Sequence, residues 1–230
     1  MAETLQTESK TRTAWIIAKS LAVIGVGLSL FQLYTAGLVA MTAMRHRSVF
    51  LTCILVMAFL TKPIYKGVRK DRFNAALVVD LILAAAAIAV GAYIFIDLQG
   101  IFERQGDWSR WDFAVGIILV LLVLEATRRV IGYNLMIIAS AALLFAYFGP
   151  YMPELVVHKG YSIERIATTL SLTTEGIFGL PLGVASTFVF IFILFGAFLD
   201  KTGAGKFFID LSYSCLLYTS PSPRDGTKDL

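Results

Sequence analysis

The chain has 230 residues, 57% of them hydrophobic and only 16% charged, with a formal net charge of +4 and a mean hydropathy of +0.75. Soluble domains carry about 25% charged residues, and here the deficit is concentrated in long apolar runs, which excludes most soluble enzyme classes. The basic excess sits in short loops beside those runs, where positive charge sets membrane topology, and this argues against nucleic acid as a partner.

A hydrocarbon core about 30 Å thick requires roughly 20 mostly apolar helical residues per crossing. Lipid supplies no partner for free N–H and C=O groups, so each crossing has to be a helix. The polar lead, residues 1–20, contains Glu3 and Glu8, and the run after it is too long for a signal-peptide core. The first span is therefore read as uncleaved, over Leu21–Ala43. The second is Ser48–Tyr65, ending at Lys62-Pro63, and includes Cys53 as a small apolar residue. The third, Ala75–Ile96, has a small-residue face made by Ala84–Ala89 and Gly91. The fourth, Trp111–Ala126, draws on Trp108 and Trp111 as interfacial rings. The fifth is Val130–Phe148, closed by Gly149, Pro150 and Pro153. Next, Ile163, Ile166, Ala167 and Leu170 recur at helical spacing behind Ser162 as N-cap, with Glu164, Arg165, Thr168 and Thr169 on the other side. This predicts one short helix lying in the interface plane or against other spans. The sixth span is Leu182–Leu199, with Pro181 at its start and Gly203 past its end. The fold class expected is all-α, a polytopic membrane protein of about six transmembrane helices.

Orientation follows from the cations. An inside N-terminus puts twelve Lys and Arg residues inside, five of them in the second loop (Lys62, Lys66, Arg69, Lys70, Arg72), against six outside. The bias predicts a cytoplasmic N-terminus, although Arg45 and Arg47 fall in the first outside loop.

Glu125, Arg128 and Arg129 form the most informative charged cluster. At three- and four-residue spacing both arginines can reach the carboxylate on one helix. The simpler reading is a membrane-edge ion pair; the functional one is contact with a neighbouring span or a transported ion. Asp80 enters span three at shallow depth and is expected to be solvated or lysine-paired, an ion or proton site being the functional alternative. Glu175 adjoins the turn Gly176-Ile-Phe-Gly179-Leu-Pro181-Leu-Gly183. Broken glycine-rich backbone at membrane depth can expose carbonyls to substrates and ions, while a plain re-entry turn is the bland alternative. The segment Thr202–Phe207 is superficially like a phosphate loop but fails its pattern at Asp200 and Phe207. His46 and His158 stand alone in outside loops. Nothing in the sequence assembles a catalytic, cofactor or metal site. Residues 215–230 resemble translated sequencing-adapter text, so a non-native extension is expected there; a natural polar tail is the alternative.

Two segments carry a family resemblance: Leu122–Gly132, which includes Glu125-Ala-Thr-Arg-Arg129, and Gly176–Ala185 continuing through Phe195–Leu211. They resemble the fused permease of tripartite ATP-independent periplasmic (TRAP) transporters, the branch joining four small-subunit spans to about twelve large-subunit spans. The likeness covers roughly Ala14–Leu211. It implies a small scaffold-like part over 21–127 and the start of the large permease part over 128–214. It further implies a bacterial or archaeal plasma membrane, an extracytoplasmic solute-binding protein as partner, and import of organic acids driven by a sodium or proton gradient. No organic cofactor is implied. The family's ion- and substrate-binding hairpins lie beyond Leu211, so no transport residue carries over, and the chain is expected to be an N-terminal fragment whose missing partner is the remainder of the large part. The rival readings are a non-transporting membrane scaffold or assembly protein, and a membrane-embedded enzyme, for which no convergent polar constellation exists.

Overall fold

A computed structural model describes residues 2–39, 41–62, 75–151 and 159–219. The apolar runs become helices: α1 Ala2–Gly37, α2 Ala43–Thr61, α3 Ala75–Ile96, α4 Leu98–Glu103, α5 Arg110–Val130, α6 Tyr133–Tyr147, α7 Ile163–Leu172, α8 Leu180–Val184, α9 Phe190–Thr202 and α10 Ala204–Thr219. A π-helical turn, Ala185–Val189, joins α8 to α9. No strand occurs among the described residues, and the all-α polytopic expectation holds.

Span three lies where expected, at Ala75–Ile96, and α7 begins at the predicted cap, where Ser162 Oγ accepts from the Arg165 N–H at 3.2 Å. Other boundaries move. The first helix ends at Gly37, not Ala43, and the second begins at Ala43, not Ser48, because Thr42 is extended (φ −58°, ψ 138°). Apolar residues continue through that break, so hydropathy alone passes over it. Arg45, His46 and Arg47 are consequently helical rather than in a loop. Helix α5 continues past Ala126 to Val130 and takes Val130 from the fifth span; Gly132, at φ +120°, makes the break that a side-chain-bearing residue would resist. Helices α4 and α10 were not anticipated. The loop residues 63–74, with Lys66, Arg69, Lys70 and Arg72, lie outside the described residues, as do Pro153, His158 and 220–230.

Six crossings were expected. Among the described residues four helices are long and apolar enough: Ile17–Gly37, Ala43–Thr61, Leu77–Ile96 and Leu180–Thr202. Helix α5 falls short because charge gathers at both its ends, and the 15 residues of α6 span only about 22 Å at 1.5 Å per residue.

The chain divides into two compact units, 1–187 and 188–230. In the first, α2 packs along α3, with α5 against both. Gly91 of α3 meets Thr52 of α2 so closely that any β-carbon would strike the Thr52 side chain, the small-residue approach anticipated for this face. Phe59, Phe178, Met44, Ile94, Ile101 and Leu172 are the largest fully buried apolar side chains of this unit's core. Of the two placements open to α7, it takes the one against other spans. A β-carbon on Gly116 of α5 would lie 2.7 Å from Ser171 Oγ of α7. Thr168, expected on the polar side, is fully buried and donates to the Glu164 carbonyl at 2.8 Å, so its hydroxyl is satisfied within the helix. In the second unit, Gly203 at φ +74° ends α9, and its carbonyl accepts the Phe207 N–H at 3.1 Å to open α10.

Candidate functional site

Within the first unit, polar side chains collect at two opposite ends of the α2–α3–α5 bundle. At the end where α2 and α5 finish and α3 starts, Arg129 is the hub. Its Nη1 donates to Asp80 Oδ1 at 2.5 Å and to the Lys62 carbonyl at 3.2 Å, and its Nε to Glu125 Oε1 at 2.7 Å. The guanidinium carbon lies 5.1 Å from the Phe59 ring centroid. Both side chains of the Arg129–Asp80 pair are buried, at 1% and 3% exposure. Arg128 holds Glu125 through two bonds, 2.7 and 2.6 Å, and reaches Tyr133 Oη at 3.2 Å. The intrahelical pairing anticipated for Glu125, Arg128 and Arg129 is present. Asp80 is corrected in one respect: it is buried rather than solvated, because α3 faces α5 at this level and sets it against Arg129.

At the opposite end a second buried carboxylate, Asp112, starts α5. It accepts from the Ser109 N–H (3.0 Å), Tyr93 Oη (2.7 Å) and Arg104 Nε (3.1 Å). Arg104 also donates to Asp97 at 2.5 Å. Its hydrogen bonds to Asp112 first, and to Asp97 next, push the Arg104 guanidinium above its already high ordinary value. Sequence reasoning missed Asp112, though Ser109-x-x-Asp112 before an apolar run is a capping signal.

The same end holds a third group. Gln32 of α1 is buried; its Nε2 donates to the Ser186 carbonyl at 2.8 Å, and its Oε1 sits 2.5 Å from His46 Nε2. An amide oxygen only accepts, so in this contact His46 Nε2 is the donor. The imidazole stacks on Phe31 with centroids 5.8 Å apart. His46 is thus neither in a loop nor isolated. At the next position, Arg47 Nη1 donates to the Phe178 carbonyl at 2.6 Å and the Gly179 carbonyl at 3.3 Å. Gly183 makes room: a β-carbon there would lie 2.5 Å from Arg47 Nη2. Gly176 and Gly179 build the tight turn through the Ile177 N–H to Leu170 carbonyl (2.7 Å) and Gly179 N–H to Gly176 carbonyl (2.9 Å) bonds, and Pro181 sits in the first turn of α8. The turn residues Gly176, Gly179, Pro181 and Gly183 therefore come together with Arg47. Glu175 is exposed, and its N–H bonds Thr173 Oγ1 at 3.2 Å. Gln32 was legible only as an amide inside an apolar run, itself a signal at membrane depth.

An apolar cavity of about 430 Å³ lies between α5, α6 and α7, lined by residues such as Val120, Leu121, Leu144 and Ile166.

Comparison with known families fixes the segment that carries α5's basic end and the latched turn. Residues 118–216 match the family model of the tripartite ATP-independent periplasmic (TRAP) transporter, DctM component. The TRAP resemblance read from the sequence is borne out over that stretch, which begins at Ile118, inside α5. No curated protein and no solved structure matches the chain. TRAP DctM components are permease components, not known as enzymes, and work with a periplasmic binding protein and a small DctQ component. The matched stretch and the apolar helices together make this a multi-pass membrane protein of the transport class.

Proposed function

We propose that the chain serves the permease of a TRAP-type secondary transporter, importing organic-acid-like solutes delivered by an extracytoplasmic solute-binding protein and driven by a sodium or proton gradient. The match over 118–216 carries this reading. In it, 21–127 acts as the small scaffold-like part and 128–214 opens the large permease part, in a bacterial or archaeal plasma membrane with a cytoplasmic N-terminus. Glu125, Arg128 and Arg129 are assembly residues: Arg129 fastens α5 to Asp80 of α3 and to the Lys62 carbonyl after α2, while Glu125 braces both arginines within α5. The positive-inside bias supports the orientation. Thiols placed at Lys62 and at Gly106 should label from opposite sides of the membrane.

Reconstitution of the permease with its binding protein in liposomes tests the function. Uptake should follow an imposed ion gradient and collapse with an ionophore that dissipates it. Uptake that needs ATP and survives the ionophore would sink the proposal.

A further inference from the structure

The Gly176–Gly183 turn and the π turn after it are places where this backbone leaves α-helical pairing within or beside a helix long and apolar enough to cross a membrane. Such breaks free carbonyl oxygens, and freed carbonyls in transporters are candidate cation ligands. Here Phe178 takes Arg47 Nη1 and Ser186 takes Gln32 Nε2, while the Gly179 carbonyl, which also accepts the Gly183 N–H at 3.1 Å, takes Arg47 Nη1 at 3.3 Å. The donors come from α1 and α2, more than 130 positions away in sequence. Each is set in place by a second contact. His46 holds the Gln32 amide so that its oxygen faces the imidazole and its nitrogen faces Ser186. The bare Gly183 backbone leaves the guanidinium its space. A π turn contains one residue more than an α turn, which leaves carbonyls misaligned and in need of outside donors; Gln32 meets this need at Ser186.

We propose that Arg47 and Gln32 form a latch by which α1 and α2 hold the DctM-matching segment through its main-chain carbonyls, with the Arg47 guanidinium occupying the position a monovalent cation would take at Phe178 and Gly179. The turn is then a fixed element of the scaffold and binds no coupling ion. His46 is the positioning residue for Gln32. The assignment rests on the TRAP reading for what the segment is, and on the hydrogen bonds alone for the latch.

Hydrogen–deuterium exchange on the purified chain in lipid nanodiscs tests it, comparing the peptide covering 173–189 with a reference peptide covering 84–96. R47L and Q32L should each speed exchange in 173–189 roughly tenfold, the effect expected from losing a buried side-chain donor to a main-chain carbonyl, and leave 84–96 unchanged. Wild-type exchange in 173–189 should be the same in sodium as in choline chloride. If R47L or Q32L loosens the whole chain, G183A decides the point, since it displaces the guanidinium while both latch residues remain; it should reproduce the local effect. Wild-type exchange in 173–189 of R47L or G183A, or sodium-dependent protection of the unmodified protein, would overturn the latch. Exchange does not depend on uptake, so failure of transport in liposomes would remove the functional reading and leave this result standing.

Discussion

The two ends of the α2–α3–α5 bundle solve the same problem by different chemistry. At one end charge meets charge: Arg129 binds Asp80 on another helix and Glu125 on its own. At the other, beside the Arg104–Asp112 pair, Gln32 and Arg47 meet peptide carbonyls, which every residue offers. An ion pair depends on two particular side chains and fails when either changes. A donor on a carbonyl depends on one side chain and on the path of the backbone, so it constrains the turn's shape more than its composition.

The largest expected effect is at the charged end. R129A or D80A alone should cost about 3–5 kcal/mol, because each removes one member of a buried ion pair and leaves the other short of neutralising charge. Thermal unfolding in detergent measures this, and D80L/R129M together should recover much of the loss. A double variant no more stable than the singles would show that the pair does more than neutralise itself. D112N comes next, at about 1.5–3 kcal/mol, since it weakens charge-assisted bonds from Tyr93, Arg104 and the Ser109 amide; the same melt reads it. G91V should cost about 1–3 kcal/mol by forcing α3 off Thr52, and an unchanged melting point would mean the helices slide freely past each other. R128A should cost less than about 1 kcal/mol, because Arg128 is partly solvated and Glu125 keeps Arg129. If R128A instead equalled R129A, the intrahelical pair would matter as much as the cross-helix one.

Helical class, the Ala75–Ile96 boundaries and the Ser162 cap were legible because composition and local capping determine them. The Glu125–Arg128–Arg129 pairing was legible for the same reason: three- and four-residue spacing is a local property. Asp80 was misread because its partner lies 49 positions away, and nothing in the sequence around Asp80 points to α5. Arg47 and His46 were hidden by a different cause. The apolar residues between Gly37 and Ala43 conceal the helix break, so a hydropathy reading placed the two residues in solvent. Once α2 starts at Ala43, both fall in its first two turns, facing neighbours that only the folded chain supplies.

Helix α5 has a consequence for anyone dividing this polypeptide. The DctM match starts at Ile118, midway along a rod whose head is anchored to α3 through Tyr93 and Asp112 and whose foot is anchored to it through Asp80 and Arg129. A gene cut at the edge of the match would sever that rod between its two anchors. Workable junctions for split or chimeric versions lie instead before Ser109 or at Gly132, where the cap and the left-handed glycine already end the helix.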